Sequence, residues 1–154
     1  MISVWRLSKG KYAGTPFTGE SAALYPGRWN SDGVKMVYAA GSLSLSALEL
    51  FVNLQNDGMG ISLVYFKVDI PGKIKIVEVG AGGLPRDWRR CPAPESTQSF
   101  GSNWADRKDS LILKVPTVVI PTEHDYLINP LHPDLSSLKI SNPVPFSFDP
   151  RIWK

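Results

Sequence analysis

The chain has 154 residues, 43% hydrophobic and 20% charged, which suits one compact domain spanning residues 1–154 and argues against wholesale disorder. Its net charge of +3 is spread along the chain and too small to imply a nucleic-acid partner. No apolar run nears the roughly 18 residues needed to cross a bilayer, Met1 to Arg6 carries no signal-peptide pattern, and one cysteine, Cys91, with two histidines suffices for neither an internal disulfide nor a zinc cluster. The expectation is a cytoplasmic domain with no metal and no membrane contact.

Gly and Pro, 13 of each, predict short elements joined by defined turns. Ser3 to Leu7 reads as a first strand, with Trp5 and Arg6 on opposite faces. Residues 8–27, punctuated by Gly10, Gly14, Pro16, Gly19, Pro26 and Gly27, read as a long loop. Arg28-Trp29-Asn30, a turn at Ser31-Asp32-Gly33 and a strand from Lys35 to Ala39 suggest a hairpin. From Leu43 to Leu54 the apolar residues recur at helical spacing. Leu43, Ala47, Leu50, Phe51 and Leu54 form one face, and Leu45, Leu48 and Val52 a second flank. Such a helix is expected to be buried, with Ser46, Glu49 and Asn53 as its narrow polar seam. Strands follow at Ile61–Ile70 and Lys73–Val79, then a Gly/Pro-rich excursion over 80–96 and a short helix from Phe100 to Asp109, weakened by Gly101. Leu111 to Ile120 reads as a strand interrupted at Pro116, which belongs at an edge or bulge. Tyr126 to Ile128 is a last strand before a largely irregular end. The sum is an α+β domain with a twisted, mainly antiparallel sheet.

Phosphate-loop, dinucleotide-fold, zincin and hydrolase-elbow motifs are absent from the sequence, and His124 and His132 read as turn or capping residues. What remains is a set of single polar side chains. Arg28 follows a glycine in a loop feeding a strand, where a guanidinium could grip a phosphate or carboxylate or simply face solvent. Tyr38 could stack on a flat ring or fill the core. Two roles stay open for Glu49: chemistry, or the S-x-x-E capping box of Ser46-Ala-Leu-Glu49. Thr117, taken alone, is an ordinary β-branched strand residue.

These residues, with the segments around them, resemble the RES-domain family of bacterial toxin–antitoxin toxins. The likeness runs through Val4-Trp5-Arg6-Leu7, Gly27-Arg28-Trp29-Asn30, Val37-Tyr38-Ala39-Ala40, Ala47-Leu48-Glu49, Val115-Pro116-Thr117, Tyr126-Leu127-Ile128-Asn129-Pro130-Leu131-His132-Pro133 and Asp149-Pro150-Arg151-Ile152-Trp153. It implies an ADP-ribosyltransferase-like fold and an enzyme that degrades NAD⁺ by cleaving the nicotinamide–ribose bond, with NAD⁺ as substrate and no separate cofactor. It also implies catalytic roles for Arg28, Tyr38, Glu49 and Thr117, and substrate contacts from Arg28, Trp29, Asn30, Tyr38, Thr117 and Asn129. The family pattern has Val-Pro-Ser where this chain has Val-Pro-Thr. The hydroxyl survives that change, with an added methyl and a stiffer χ1.

Cleaving the glycosidic bond builds positive charge on the ribose, which a carboxylate such as Glu49 can stabilise. On the resemblance, Arg28 clamps the pyrophosphate, Tyr38 packs on the nicotinamide, Thr117 and Asn129 orient these groups, and water or inorganic phosphate captures the ribosyl carbon. The implied partner is an Xre-like helix-turn-helix antitoxin that reads DNA on the toxin's behalf. Homo-oligomerisation stays open. One alternative is transfer of ADP-ribose to a macromolecule by the same site. Another is a non-enzymatic RNA-binding module built on Arg86, Arg89, Arg90 and Trp88.

Overall fold

The computed structural model describes residues 1–54 and 60–153. β1 (Ile2–Lys9) and β3 (Leu63–Ile70) pair antiparallel along their full length, from Ile2 opposite Ile70 to Lys9 opposite Leu63. β2 (Val37–Ala40) touches β1 through one register pair, Trp5 with Ala40, and pairs throughout with β6 (His124–Ile128). β6 is antiparallel to β5 (Ile112–Pro116), which carries β4 (Ile76–Glu78) as a parallel neighbour. At the other end β7 (Lys139–Ile140) and β8 (Val144–Phe146) both pair antiparallel with β3. The order among the described residues is β4-β5-β6-β2-β1-β3-β7, with β8 also paired to β3.

The single pair between β1 and β2 shapes the molecule. Beyond Trp5 the two half-sheets part, and a wedge opens between them. Arg6 spans it, its Nε donating to the Pro16 carbonyl at 2.8 Å and its Nη1 to the Tyr38 carbonyl at 3.0 Å. Side chains alternate across each strand, so a core forms on each face. Val4, Val37, Val68, Ile112 and Ile128 fill one. Leu113, Val115 and Leu127 line the other, beneath α3 (Glu95–Arg107) with Trp29, Trp88 and Trp104.

α2 (Leu43–Asn53) lies against β1 and β2. Its cap is Ser42, whose hydroxyl accepts from the Leu45 N–H at 3.1 Å. Ser46 is therefore inside the helix, and the capping-box role for Glu49 falls away. The Ser46 hydroxyl instead accepts the Leu7 N–H at 3.2 Å and pins α2 to β1. The helix is less buried than its apolar pattern predicts. Leu45 is its buried residue and Val52 is 55% exposed, because the sheet covers only one side. Part of the first face is met by C-terminal rings instead, Phe51 lying 5.8 Å from Phe148 and 5.4 Å from Trp153.

Several expectations shift. The turn at 31–33 forms, with Val34 N–H on the Ser31 carbonyl at 3.1 Å, but Arg28 to Asn30 is not a strand and no hairpin results. The Asn30 side chain instead ties Gly27, Ala22 and Val34 together through their backbone groups. The loop over 8–27 contains a 3-10 turn at Gly10–Tyr12 and the short helix α1 (Glu20–Leu24). α3 starts at Glu95, five residues before the expected point, and its Gly101 has a packing reason. A Cβ there would lie 1.9 Å from the Trp29 carbonyl oxygen, so the helix meets the Trp29 backbone directly. β5 ends at Pro116, leaving Thr117 just past the strand. The C-terminal stretch, expected to be irregular, supplies β7 and β8.

Candidate active site

A cleft of about 400 Å³ opens where the half-sheets part. Arg6, Arg28, Tyr38, Glu49, Thr117 and Asp125 all line it. Sequence reasoning named four of these, and the fold brings them together from β1, the 25–30 loop, β2, α2, the end of β5 and β6.

Glu49 projects from the middle of α2. Its Oε1 accepts a hydrogen bond of 2.5 Å from the Thr117 hydroxyl, the length of a strong charge-assisted bond. Thr117 is itself 2% exposed, and its Oγ1 also accepts the Val119 N–H at 3.2 Å. That second bond fixes the hydroxyl so that its proton points at Glu49. The hydroxyl kept by the Val-Pro-Thr departure is thus the group that touches the acid.

Tyr38 is held by two bonds. Its hydroxyl donates to Asn30 Oδ1 at 2.6 Å and accepts the Trp29 N–H at 2.9 Å. Burial raises its pKa well above the ordinary tyrosine value, so the phenol stays neutral. Gly27 packs on this ring, where an added Cβ would lie 2.8 Å from the hydroxyl oxygen.

Arg28 lines the cleft with part of its donor set engaged. Nη1 donates to the carbonyls of Trp88 at 3.0 Å and Arg90 at 2.6 Å, and Nη2 to Cys91 Sγ at 3.2 Å. The 88–91 loop thus anchors the guanidinium at the cleft wall, leaving Nε and one Nη2 hydrogen for an anion. Arg6, absent from the expected site residues, is the second cation. Burial lowers its pKa to about 10, still high enough to keep it charged at neutral pH. Among the described residues it has no acidic partner within 4 Å.

Three expected substrate contacts fare differently. Trp29 reaches the cleft lining but is 2% exposed, held in the core with Phe100 at 6.1 Å. Asn30 and Asn129 are buried away from it, at 0% and 1% exposure. The Asn30 amide donates to the Ala22 and Val34 carbonyls, and its oxygen accepts from Gly27 N–H and Tyr38. The Asn129 amide donates to the Ala105 carbonyl at 2.8 Å, and its oxygen accepts the Leu131 N–H at 3.0 Å. In the folded chain these side chains hold the loops and strands that frame the cleft, bonded to backbone groups and, for Asn30, to the Tyr38 hydroxyl. His132 caps a turn, Nδ1 accepting the Asp134 N–H at 3.0 Å. The surface patch required for RNA stacking is missing its platform, since Trp88 is only 8% exposed beneath α3.

Asp125, like Arg6, is a cleft residue that sequence reasoning missed. It is 8% exposed and lines the same cleft as Glu49. Burial first, and the nearby Glu49 second, hold its pKa well above the ordinary carboxylate range.

Residues 3–149 match the family model described as RES domain. The chain belongs to the RES-domain family. It is 36% identical to a Prs ADP-ribosylating toxin of Sphingobium sp. (strain YBL2), over 97% of this chain and 96% of that one. It is 34% identical to a Toxin Res of Yersinia enterocolitica, over 98% and 99% respectively. Its fold is that of a chain in the crystal structure of the M. tuberculosis MbcT–MbcA toxin–antitoxin complex, with a TM-score of 0.75 at 14% identity, covering 99% of the RES chain described here and 86% of that one. The α+β, ADP-ribosyltransferase-like architecture expected from the sequence is the one observed.

Proposed function

We propose that this RES domain is the toxin of a toxin–antitoxin pair and that it degrades NAD⁺ by breaking the nicotinamide–ribose bond. The observation that carries the reading is the Glu49–Thr117 pair facing a cleft whose walls hold two cations, Arg6 and Arg28. A dinucleotide needs both features: positive charge for its pyrophosphate and negative charge for the ribosyl cation that develops as the bond breaks. Next to the cleft lies a second hollow of about 560 Å³, lined by Lys9, Lys11 and Tyr12 and sharing Arg6 and Leu50 with the first. Together they offer a length suited to an extended two-headed substrate.

In this mechanism the glycosidic electron pair leaves with nicotinamide, and the charge left at the ribosyl carbon is balanced by Glu49. Water, or an inorganic phosphate oxygen, then forms the new bond to that carbon. With water the products are nicotinamide, ADP-ribose and a proton. Tyr38 supplies a neutral ring against the departing nicotinamide. Thr117 fixes the carboxylate on which the charge balance depends.

The Sphingobium relative's name favours a second outcome for the same intermediate, capture by a side chain of a protein. Incubation with labelled NAD⁺ separates them: label in free ADP-ribose or its phosphate supports degradation, and label in protein supports transfer. The MbcT–MbcA complex supports an antitoxin partner, for which an Xre-like helix-turn-helix protein covering the cleft is our reading. Glu49→Gln tests the core of the proposal. Loss of one positioned electrostatic stabiliser lowers turnover about 10²- to 10³-fold, with thermal unfolding close to wild type. Turnover equal to wild type removes Glu49 from the chemistry.

A further inference from the structure

Asp125 is a buried ionisable group that the mechanism above does not use. Its place is set by register: it sits opposite Ala40 of β2 and Val115 of β5. Paired residues share a face, so its side chain rises on the face of Val115 and Leu127, where it lines the cleft together with Glu49. Its Oδ1 is buried and accepts no hydrogen bond from any protein donor among the described residues. A buried carboxylate oxygen without a donor is costly, whereas a carboxylic acid needs only one acceptor for its proton. Glu49 is the acceptor at hand.

The other groups facing Asp125 leave it no competing partner. From β2, the Tyr38 hydroxyl is committed to Asn30. Beyond β5, the Thr117 hydroxyl donates to Glu49. From β1, the Arg6 guanidinium is turned to the Pro16 and Tyr38 carbonyls, and from the 25–30 loop Arg28 is turned to the 88–91 loop, so the donors they keep free do not reach the Asp125 carboxyl. Among the described residues no Lys, Arg or His lies within 4 Å of its carboxyl oxygens.

We propose that Asp125 is a positioning residue for Glu49: as a neutral acid it donates a hydrogen bond to the Glu49 carboxylate from β6 while Thr117 donates from the end of β5, so that two fixed donors aim one charge into the cleft. This deepens the proposed function and rests on it for its kinetic consequences. The elevated pKa of Asp125, caused chiefly by burial, agrees with the geometry. One consequence concerns pH. Ionising Asp125 sets two adjacent negative charges in the cleft floor and removes a donor, so turnover declines on the alkaline side as Asp125 loses its proton.

The first test needs no substrate. Carboxyl carbon chemical shifts assigned by comparison with Asp125→Asn are expected to show Asp125 protonated at pH 7; an ionised Asp125 at that pH overturns the proposal. Stability gives a second reading free of activity. An acid protonated in the fold but ionised in the unfolded chain lowers stability as pH rises above about 4. The thermal midpoint of wild type should therefore fall relative to Asp125→Asn over that range, and parallel curves count against the idea. The third reading is kinetic. Asp125→Leu, which fills the space without a donor, should lose about 10- to 100-fold in kcat with little change in KM. Asp125→Asn should recover most of that loss and flatten the alkaline limb. A Leu variant with wild-type kcat, or an Asn variant with the wild-type alkaline limb, overturns the proposal. If the wild-type protein consumes no NAD⁺, the proposed function fails while the first two readings still decide the state of Asp125.

Discussion

Replacing Thr117 with Val removes one oxygen and almost no volume, so it isolates the hydrogen bond on which the site is built. In the folded chain that oxygen donates to Glu49 Oε1 at 2.5 Å and accepts the Val119 N–H at 3.2 Å. A hydrogen bond to a charged group contributes about 1.5–3 kcal/mol. If it serves to hold Glu49 in its reactive pose, its loss appears as a fall of about 10- to 150-fold in kcat, at 1.36 kcal/mol per factor of ten. Thr117→Ser keeps the donor, drops the methyl and should stay within about threefold of wild type, since the burial lost is one methyl. The assay is NAD⁺ consumption by purified protein, with and without phosphate, measured for each variant alone and in the Glu49→Gln background. Because Thr117 acts through Glu49, the double variant should be barely slower than Glu49→Gln. Independent, multiplicative losses would refute the reasoning, as would a Thr117→Val enzyme with wild-type kcat.

Two further predictions concern the frame of the cleft. Tyr38→Phe strips the Trp29 N–H of its acceptor in a buried setting, which costs about 1–3 kcal/mol and lowers the melting midpoint by roughly 2–4 °C per kcal/mol; an unchanged melt would mean that water replaces the phenol. Gly101→Ala drives a methyl against the Trp29 carbonyl and should cost about 3 kcal/mol by overpacking, read by urea unfolding, even though Ala is the better helix former. A stabilised variant would show that the α3 contact gives way easily.

What the sequence determined by itself is local. The helical period from Leu43, the strand alternation, the turn at 31–33 and the Val-Pro-Thr segment are properties of neighbouring residues, and the elements at Ile2–Lys9, Leu43–Asn53 and Leu63–Ile70 follow from them. Resemblance to a family added which of the polar residues belong together. Register and splay belonged to the tertiary structure. Asp125 carries no signal in a run ending Tyr-Leu-Ile, because its meaning comes from standing opposite Ala40 and sharing a cleft with Glu49. Arg6 looked like one residue of a strand until β1 and β2 parted after a single pair and left it to span the gap. Asn30 and Asn129 show the converse. Their amides suit a ligand and a backbone equally well, and only the fold shows that nearby carbonyls and N–H groups had already claimed them. Gly101 likewise reads as a weak point in a helix until the Trp29 carbonyl is seen lying where its side chain would be. Local pattern fixes which way a chain bends, whereas burial and pairing depend on segments far apart in the chain and exist only once those segments meet.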